Sequence, residues 1–305
     1  MISKLEYINN TFMLDVAKVL RRTPFIKLKY KKKFNHFRHA KVIKSVYNYF
    51  LASMTNLESQ SMSKEKQNKI WVFWWQGKEN MPEIVNLCYE SLVRNMSGNV
   101  VLVTKENFKE YTDIPEYILE KVNKSQISLT HFSDIMRFNL LKNNGGLWVD
   151  ATVFWTNPLS YENYEYLYTC GGYSSEDLED FFVTRGKWTG FLIGGKEGNP
   201  LFVFMDNFFR EYWKENIYLI DYFLIDYALR YAYEKNIGSF KEYVDTVAEG
   251  NNPQLFELSK LVNKPYNEEK ISQLTKDTIA FKLSYKRKIE LTPGSVMYKL
   301  TSREK

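Results

Sequence analysis

Ile70-Trp71-Val72-Phe73-Trp74-Trp75 is a continuous apolar and aromatic run that closes on Gln76-Gly77. A run of this length without polar alternation reads as a strand buried on both faces, the pattern of a parallel sheet. Pro82 then opens a helix through about Asn95. Val100-Val101-Leu102-Val103 gives the next strand, Thr104 caps the turn after it, and Pro115 to Val122 reads as a short helix. Strand, helix, strand at this spacing predicts βαβ units, with helices covering the sheet. The fold class is therefore α/β.

The next segment delivers chemistry to that sheet. Thr130 is expected to N-cap a helix carrying Ser133-Asp134-Ile135-Met136-Arg137, and Gly145-Gly146 stops it. Leu147-Trp148-Val149 is a strand with Asp150 at its C-terminal end, where ligands bind in open α/β sheets. Asp134 and Arg137 share a helix face at i,i+3. Alone, such a pair is a surface contact worth under ~1 kcal/mol, and Asp150 alone is an ordinary turn residue. The order helix, double glycine, strand-end acid lets the three converge. The carboxylates can accept sugar or ribose hydroxyls or reach a metal that bridges a diphosphate. The guanidinium can donate to phosphate or sugar oxygens.

Farther on, strands alternate with Gly-rich turns from Tyr166 to Gly195, two aromatic helices follow at Pro200 to Lys214 and Tyr218 to Tyr233, and a strand is expected at Ile279 to Leu283. Lys282, Lys286, Arg287 and Lys288 form either a returning segment that neutralises a departing diphosphate or a solvated basic tail. Asp221 and Asp226 flank Phe223-Leu224-Ile225, and either position an acceptor hydroxyl or are plain helix-surface acids.

Composition bounds the remainder. In 305 residues there are two cysteines, Cys88 and Cys170. That excludes a disulfide scaffold and fits reduced thiols in the cytoplasm. No run of eighteen apolar residues and no signal-peptide core is present, so a cytoplasmic protein is expected, peripheral on the inner face of the cell membrane. His36 and His39 have no Cys or acid nearby and make no metal site. Aromatic residues are 16% of the chain, enough to line a core and also to stack on sugars.

Charge is unevenly spread. Residues 1–69 hold 15 Lys/Arg against 4 Asp/Glu, and residues 70–305 hold 27 against 32. Between Arg21 and Lys44 there are ten basic residues and no acid, interleaved with Phe25, Ile26, Leu28, Tyr30, Phe34 and Phe37. Nucleic-acid phosphates, an anionic membrane surface and a simple solvated face are the three readings. The interleaved apolar residues favour the membrane for residues 21–44, and the acidic remainder argues for no nucleic acid. A basic helical extension over 1–66 and an α/β domain over 67–305 are expected.

From Ile70 to Pro158 the chain resembles the bacterial capsular polysaccharide synthesis glycosyltransferases. The resemblance rests on Lys69-Ile70-Trp71, Trp74-Trp75-Gln76-Gly77, Ser133-Asp134 with Arg137, and Gly145 to Thr152 with Asp150. That family is similar to a wider group whose site is built from an S-D-x-x-R helix and a G-G-x-x-x-D-x-D strand end. The resemblance implies the GT-A fold, a Rossmann-like nucleotide-sugar-binding domain, here with helical additions. It implies a glycosyltransferase moving a sugar from a nucleotide-sugar donor to a growing capsule or surface polysaccharide, or to a lipid-linked acceptor. Asp134 would contact sugar or ribose hydroxyls, Arg137 the sugar or diphosphate, and Asp150 the sugar and ribose. Trp74, or Trp75 on the opposite side, would stack on the base. Lys282 lies outside the matched span, and its donor role rests on the returning basic segment alone. Thr152 stands where the second Asp of D-x-D binds Mn or Mg. Asp150 then either holds a divalent cation with the diphosphate, or protein cations replace the metal. A non-catalytic carbohydrate-binding module on the same fold is the alternative, and accounts for the missing Asp.

Overall fold

A computed structural model describes residues 1–57, 68–96, 99–173, 177–286 and 289–302. Two long helices come first, α1 (Lys4–Arg22) and α2 (Leu28–Ala52). The sheet region follows as β1 (Lys69–Phe73), α3 (Glu83–Asn95), β2 (Asn99–Val103), α4 (Glu116–Asn123), α5 (Leu129–Asn144), β3 (Gly146–Val149) and β4 (Val153–Trp155). The chain then runs through α6 (Tyr161–Tyr164), β5 (Leu167–Thr169), β6 (Leu192–Gly195), α7 (Pro200–Glu215), α8 (Leu224–Glu234) and α9 (Phe240–Thr246). It ends with α10 (Leu258–Leu261), α11 (Glu268–Leu274), β7 (Ala280–Lys282) and α12 (Val296–Ser302).

The central sheet has the order β2-β1-β3-β6-β5. β1 pairs parallel with β2 and β3, whereas β6 runs antiparallel to both β3 and β5. It is a mixed α/β, Rossmann-like arrangement. The run at Ile70 is buried on both faces as expected. Because side chains alternate across a strand, Trp71 and Phe73 join Trp148 and Ile193 in one apolar cluster with α5 and α7. Ile70 and Val72 join Leu147, Val149 and Leu192 in a second cluster, beside Leu92 of α3.

The double glycine does more than stop a helix. Gly145 caps α5 with φ 61°. Gly146 has φ 92°, and a Cβ there would stand 2.2 Å from the Lys69 carbonyl oxygen. Only glycine lets β3 approach β1 this closely.

A separate two-stranded sheet pairs β4 with β7 antiparallel, with Val153 opposite Lys282 and Phe154 opposite Phe281. A one-residue slip would send Lys282 to the other face, so this register fixes which way its side chain points.

α2 begins at Leu28, soon after the break at Pro24. Its Lys-rich first turns contain no helix breaker, and Lys31 there is buried, with its ammonium donating to the Arg21 carbonyl oxygen at 3.3 Å. Val42, Val46 and Phe50 enter the same cluster as α5, α7 and α8, and Phe50 stacks on Phe208 and Tyr231 at 5.2 and 4.8 Å. Arg38 and Asp221, both 0% exposed, pair at 3.0 Å beneath this hairpin. The expected boundary between residues 66 and 67 lies outside the described residues. Among the described residues no helix is long and apolar enough to cross a membrane.

Candidate functional site

α5 is capped by Ser128, whose hydroxyl accepts the His131 N–H at 3.2 Å. Thr130, expected as the cap, lies in the first turn and lines the adjacent cavity. Ile135, Met136, Phe138, Leu140 and Leu141 bury the helix, so Asp134 and Arg137 are not a surface pair. The Arg137 side chain is 4% exposed. Its Nη1 donates to Asp134 Oδ1 at 2.9 Å and its Nη2 to Asp150 Oδ1 at 3.2 Å. Its guanidinium lies 4.9 Å over the Trp148 ring.

Asp150 follows β3, and its backbone N–H donates to the Phe191 carbonyl oxygen at 2.9 Å. The Trp148 indole N–H donates to Asp150 Oδ1 at 2.9 Å, and the Lys282 ammonium donates to Oδ2 at 2.8 Å and to Thr152 Oγ1 at 2.8 Å. Burial pushes the Asp150 carboxyl up, but Lys282 and Arg137 outweigh it and hold the group below its ordinary value. Behind Asp134, the buried His131 receives the Trp213 indole N–H on Nε2 at 3.0 Å. That leaves its proton on Nδ1, 3.4 Å from Asp134 Oδ2. One polar chain thus runs from Trp213 through His131, Asp134, Arg137 and Asp150 to Lys282.

The chain borders a cavity of ≈ 480 Å³. Asp134, Arg137, Asp150 and Asp226 supply its charged wall, and Trp188, Phe191, Tyr222 and Phe256 its aromatic one. The Nε atom of Arg137, which lines the cavity, is buried and has no hydrogen-bond partner, whereas buried donors of this kind are normally satisfied. Gly190 holds the wall open, because a Cβ there would stand 3.0 Å from Ile225 Cδ1 and 3.4 Å from Arg137 Nη1. Trp188-Thr189-Gly190 carried no motif. Its only signal was two small residues beside an aromatic in a turn before a strand.

The two acids on either side of Phe223-Leu224-Ile225 part company. Neither is a plain helix-surface acid. Asp221 is consumed by Arg38 and by capping the Phe223 N–H at 2.8 Å. Asp226, half-buried in the first turn of α8, lines the cavity. Burial, helped by the charge of Asp134, pushes its carboxyl up to about 7.

The structure brings Asp134, Arg137, Asp150, Thr152 and Lys282 together. It does not bring the two tryptophans to the cavity wall. Trp74 packs against the cluster around Ile84 and Val85, and its indole N–H donates to the Asn80 carbonyl oxygen at 3.3 Å. Trp75 packs on Phe73, Phe108 and Phe132. Lys286 is exposed, and Arg287 and Lys288 lie outside the described residues. His36 pairs with Asp180 and His39 with Tyr227. Cys88 and Cys170 are buried free thiols that burial pushes up to about 12 and about 11.

The donor set does not suit a divalent cation. Magnesium and manganese want several oxygen ligands in near-octahedral array. Here both Asp150 oxygens and the Thr152 hydroxyl already accept from nitrogen donors, and Lys282 places an ammonium between them. Among the described residues no group of three His, Cys, Asp or Glu side chains is placed to hold a metal.

A family model described as capsular polysaccharide synthesis protein matches residues 21–300. The chain belongs to that family. The match takes in α2 and the sheet but only the end of α1, and connects the chain to capsule synthesis. Among curated proteins none matches it.

Proposed function

We propose that this capsular polysaccharide synthesis protein is a glycosyltransferase with a GT-A-type domain, using a nucleotide-sugar donor and a glycan or lipid-linked acceptor. The observation that carries the reading is Asp150 at the C-terminal edge of β3, gripped by Arg137 and Lys282 beside a cavity that also holds Asp134. Asp134 and Asp150 accept hydroxyls of the sugar or ribose. Arg137 and Lys282 face the diphosphate, where negative charge grows as the sugar–phosphate bond breaks. Fixed cations aimed at developing charge are the largest catalytic contribution in many enzymes. Lys282 stands in for the metal of D-x-D relatives. The unpaired Nε–H of Arg137 is a ready donor for a ligand oxygen. Asp226 keeps a proton near neutral pH, and so can exchange one with the acceptor hydroxyl.

Nucleotide release from a panel of nucleotide sugars tests this, run with and without a chelator. Release from at least one donor is expected, unchanged by chelation. Asp150→Asn should abolish it, and Lys282→Met should lower turnover about a hundredfold or more. No release from any donor, or full activity in Asp150→Asn, overturns the reading. Binding of glycan without any affinity for nucleoside diphosphate in calorimetry would favour the carbohydrate-binding module instead.

A further inference from the structure

The outward face of the α1–α2 hairpin is unlike the rest of the surface. Along α1, Leu5, Ile8, Phe12 and Val19 are all exposed. At about 100° per residue these positions fall within a stripe roughly 60° wide, opposite the buried Asn10, Leu14 and Ala17. Asp15, an acid on this side, is paired with Lys18 at 2.9 Å. On α2, Phe37, Tyr47 and Leu51 are exposed beside the exposed Lys33 and Lys44, opposite the buried Val42 and Val46. The turn between the helices carries Phe25, 93% exposed, flanked by exposed Arg22, Lys27 and Lys29. Both helices bury their other faces in the body of the protein, so the two outward faces form one plate.

We propose that this plate docks on an anionic phospholipid leaflet, with Phe25 and the α1 stripe entering the headgroup boundary and the lysines meeting lipid phosphates. Charge selects this occupant. Residues 1–57 carry 12 Lys/Arg against 2 Asp/Glu, so two copies placed plate to plate would repel. A nucleic acid would use the lysines but leave the α1 stripe in water. A bilayer surface satisfies both sets at once.

The plate is also placed to serve the cavity. Arg21, in the last turn of α1, lines the cavity and lies 4.9 Å over the Phe182 ring, which lines it too. Phe25 follows four residues later. Docking at this tip sets the cavity beside the membrane surface, where an acceptor with a lipid tail would be confined. The buried Arg38–Asp221 pair holds the plate fixed to the body.

Co-sedimentation of the full chain with phosphatidylethanolamine/phosphatidylglycerol vesicles tests the proposal, with phosphatidylcholine vesicles as the comparison. No sugar donor is involved, so this result and that of the transferase assay stand or fall separately. Binding to the anionic vesicles only is expected, weakening as salt rises. Phe12→Ser with Phe25→Ser, and separately Lys27→Glu with Lys29→Glu and Lys33→Glu, should each weaken it roughly tenfold or more. Thermal unfolding by circular dichroism checks that these exposed changes leave the fold intact. Four results overturn the proposal. One is no vesicle binding, and a second is vesicle binding that neither set alters. Another is a dimer in light scattering that the Phe12/Phe25 variant dissolves. The last is RNA binding that the lysine changes abolish with no vesicle binding.

Discussion

At the scale of single residues, Asp226 is a carboxyl held above its ordinary range in the wall of the cavity. It shares a cavity with Asp134, and among the described residues no ion pair holds it as Lys282 holds Asp150. The contrast is one of environment. Both carboxyls lose water, but Asp150 gains two cations and goes down, whereas Asp226 faces another acid and goes up to about 7 from 3.8. The sign of the stability effect follows. Between those values the unfolded chain has released its proton and the folded chain has not. The contribution is therefore fully present below about pH 4 and is lost as pH rises to about 7. Asp226→Asn removes that loss. The variant should be more stable than wild type at about pH 8 by roughly 1–3 kcal/mol, allowing for solvent at a half-buried group, with the gap closing toward about pH 4. Urea midpoints of both proteins across this range measure it, and a constant gap would mean that Asp226 titrates normally.

At the scale of elements, the site depends on two strand placements. Gly146 must let β3 lie against β1, and β7 must pair with β4 in the register that sets Lys282 opposite Val153. Gly146→Ala meets the Lys69 carbonyl as well as an unfavourable φ, and should cost about 2–4 kcal/mol in chemical denaturation. Gly77→Ala, with φ 80° but open space around it, should cost about 1–2 kcal/mol. Equal losses would show that the close approach at Gly146 contributes nothing. These elements also explain what the sequence could reveal. The apolar run at Ile70 and the helix–glycine–strand order around Asp150 are local patterns, so β1, α5, β3 and the meeting of Asp134 with Arg137 were legible. The partnership of Lys282 with Asp150 spans 132 residues and is made by a strand register. The lysine could be singled out, but its place between Asp150 and Thr152 could not. The strand end that carries Trp74 was legible too, yet not where that ring packs. Trp188 and Gly190 gave no pattern, because their role is to shape a wall for residues elsewhere in the chain.

At the scale of the whole molecule, the question is whether the basic hairpin is an appendage or part of the folding unit. Its composition differs sharply from the rest, which reads as a separate extension. Its packing points the other way: Val42, Val46 and Phe50 share a core with α7 and α8, and Arg38 reaches Asp221 with both side chains fully buried. Arg38 also donates to the Phe181 carbonyl oxygen at 2.9 Å and lies against the Phe181 and Phe223 rings. Removing one partner of such a pair strands a buried charge at a cost of about 3–5 kcal/mol, whereas neutralising both restores most of it. Arg38→Met should therefore lower the unfolding free energy of the entire chain by that amount, in one transition, and Arg38→Met with Asp221→Asn should recover much of the loss. If the hairpin folds separately, Arg38→Met will instead leave the main transition in place and split off a smaller, earlier one. The same comparison bears on the cavity, since Asp221 precedes α8 by three residues and α8 carries Asp226. A hairpin that folds as one unit with α8 ties its own stability to the placement of the acid in the cavity wall. A downward shift of the single transition in Arg38→Met, with nucleoside diphosphate binding weakened alongside it and both largely restored in the double variant, is the expected outcome.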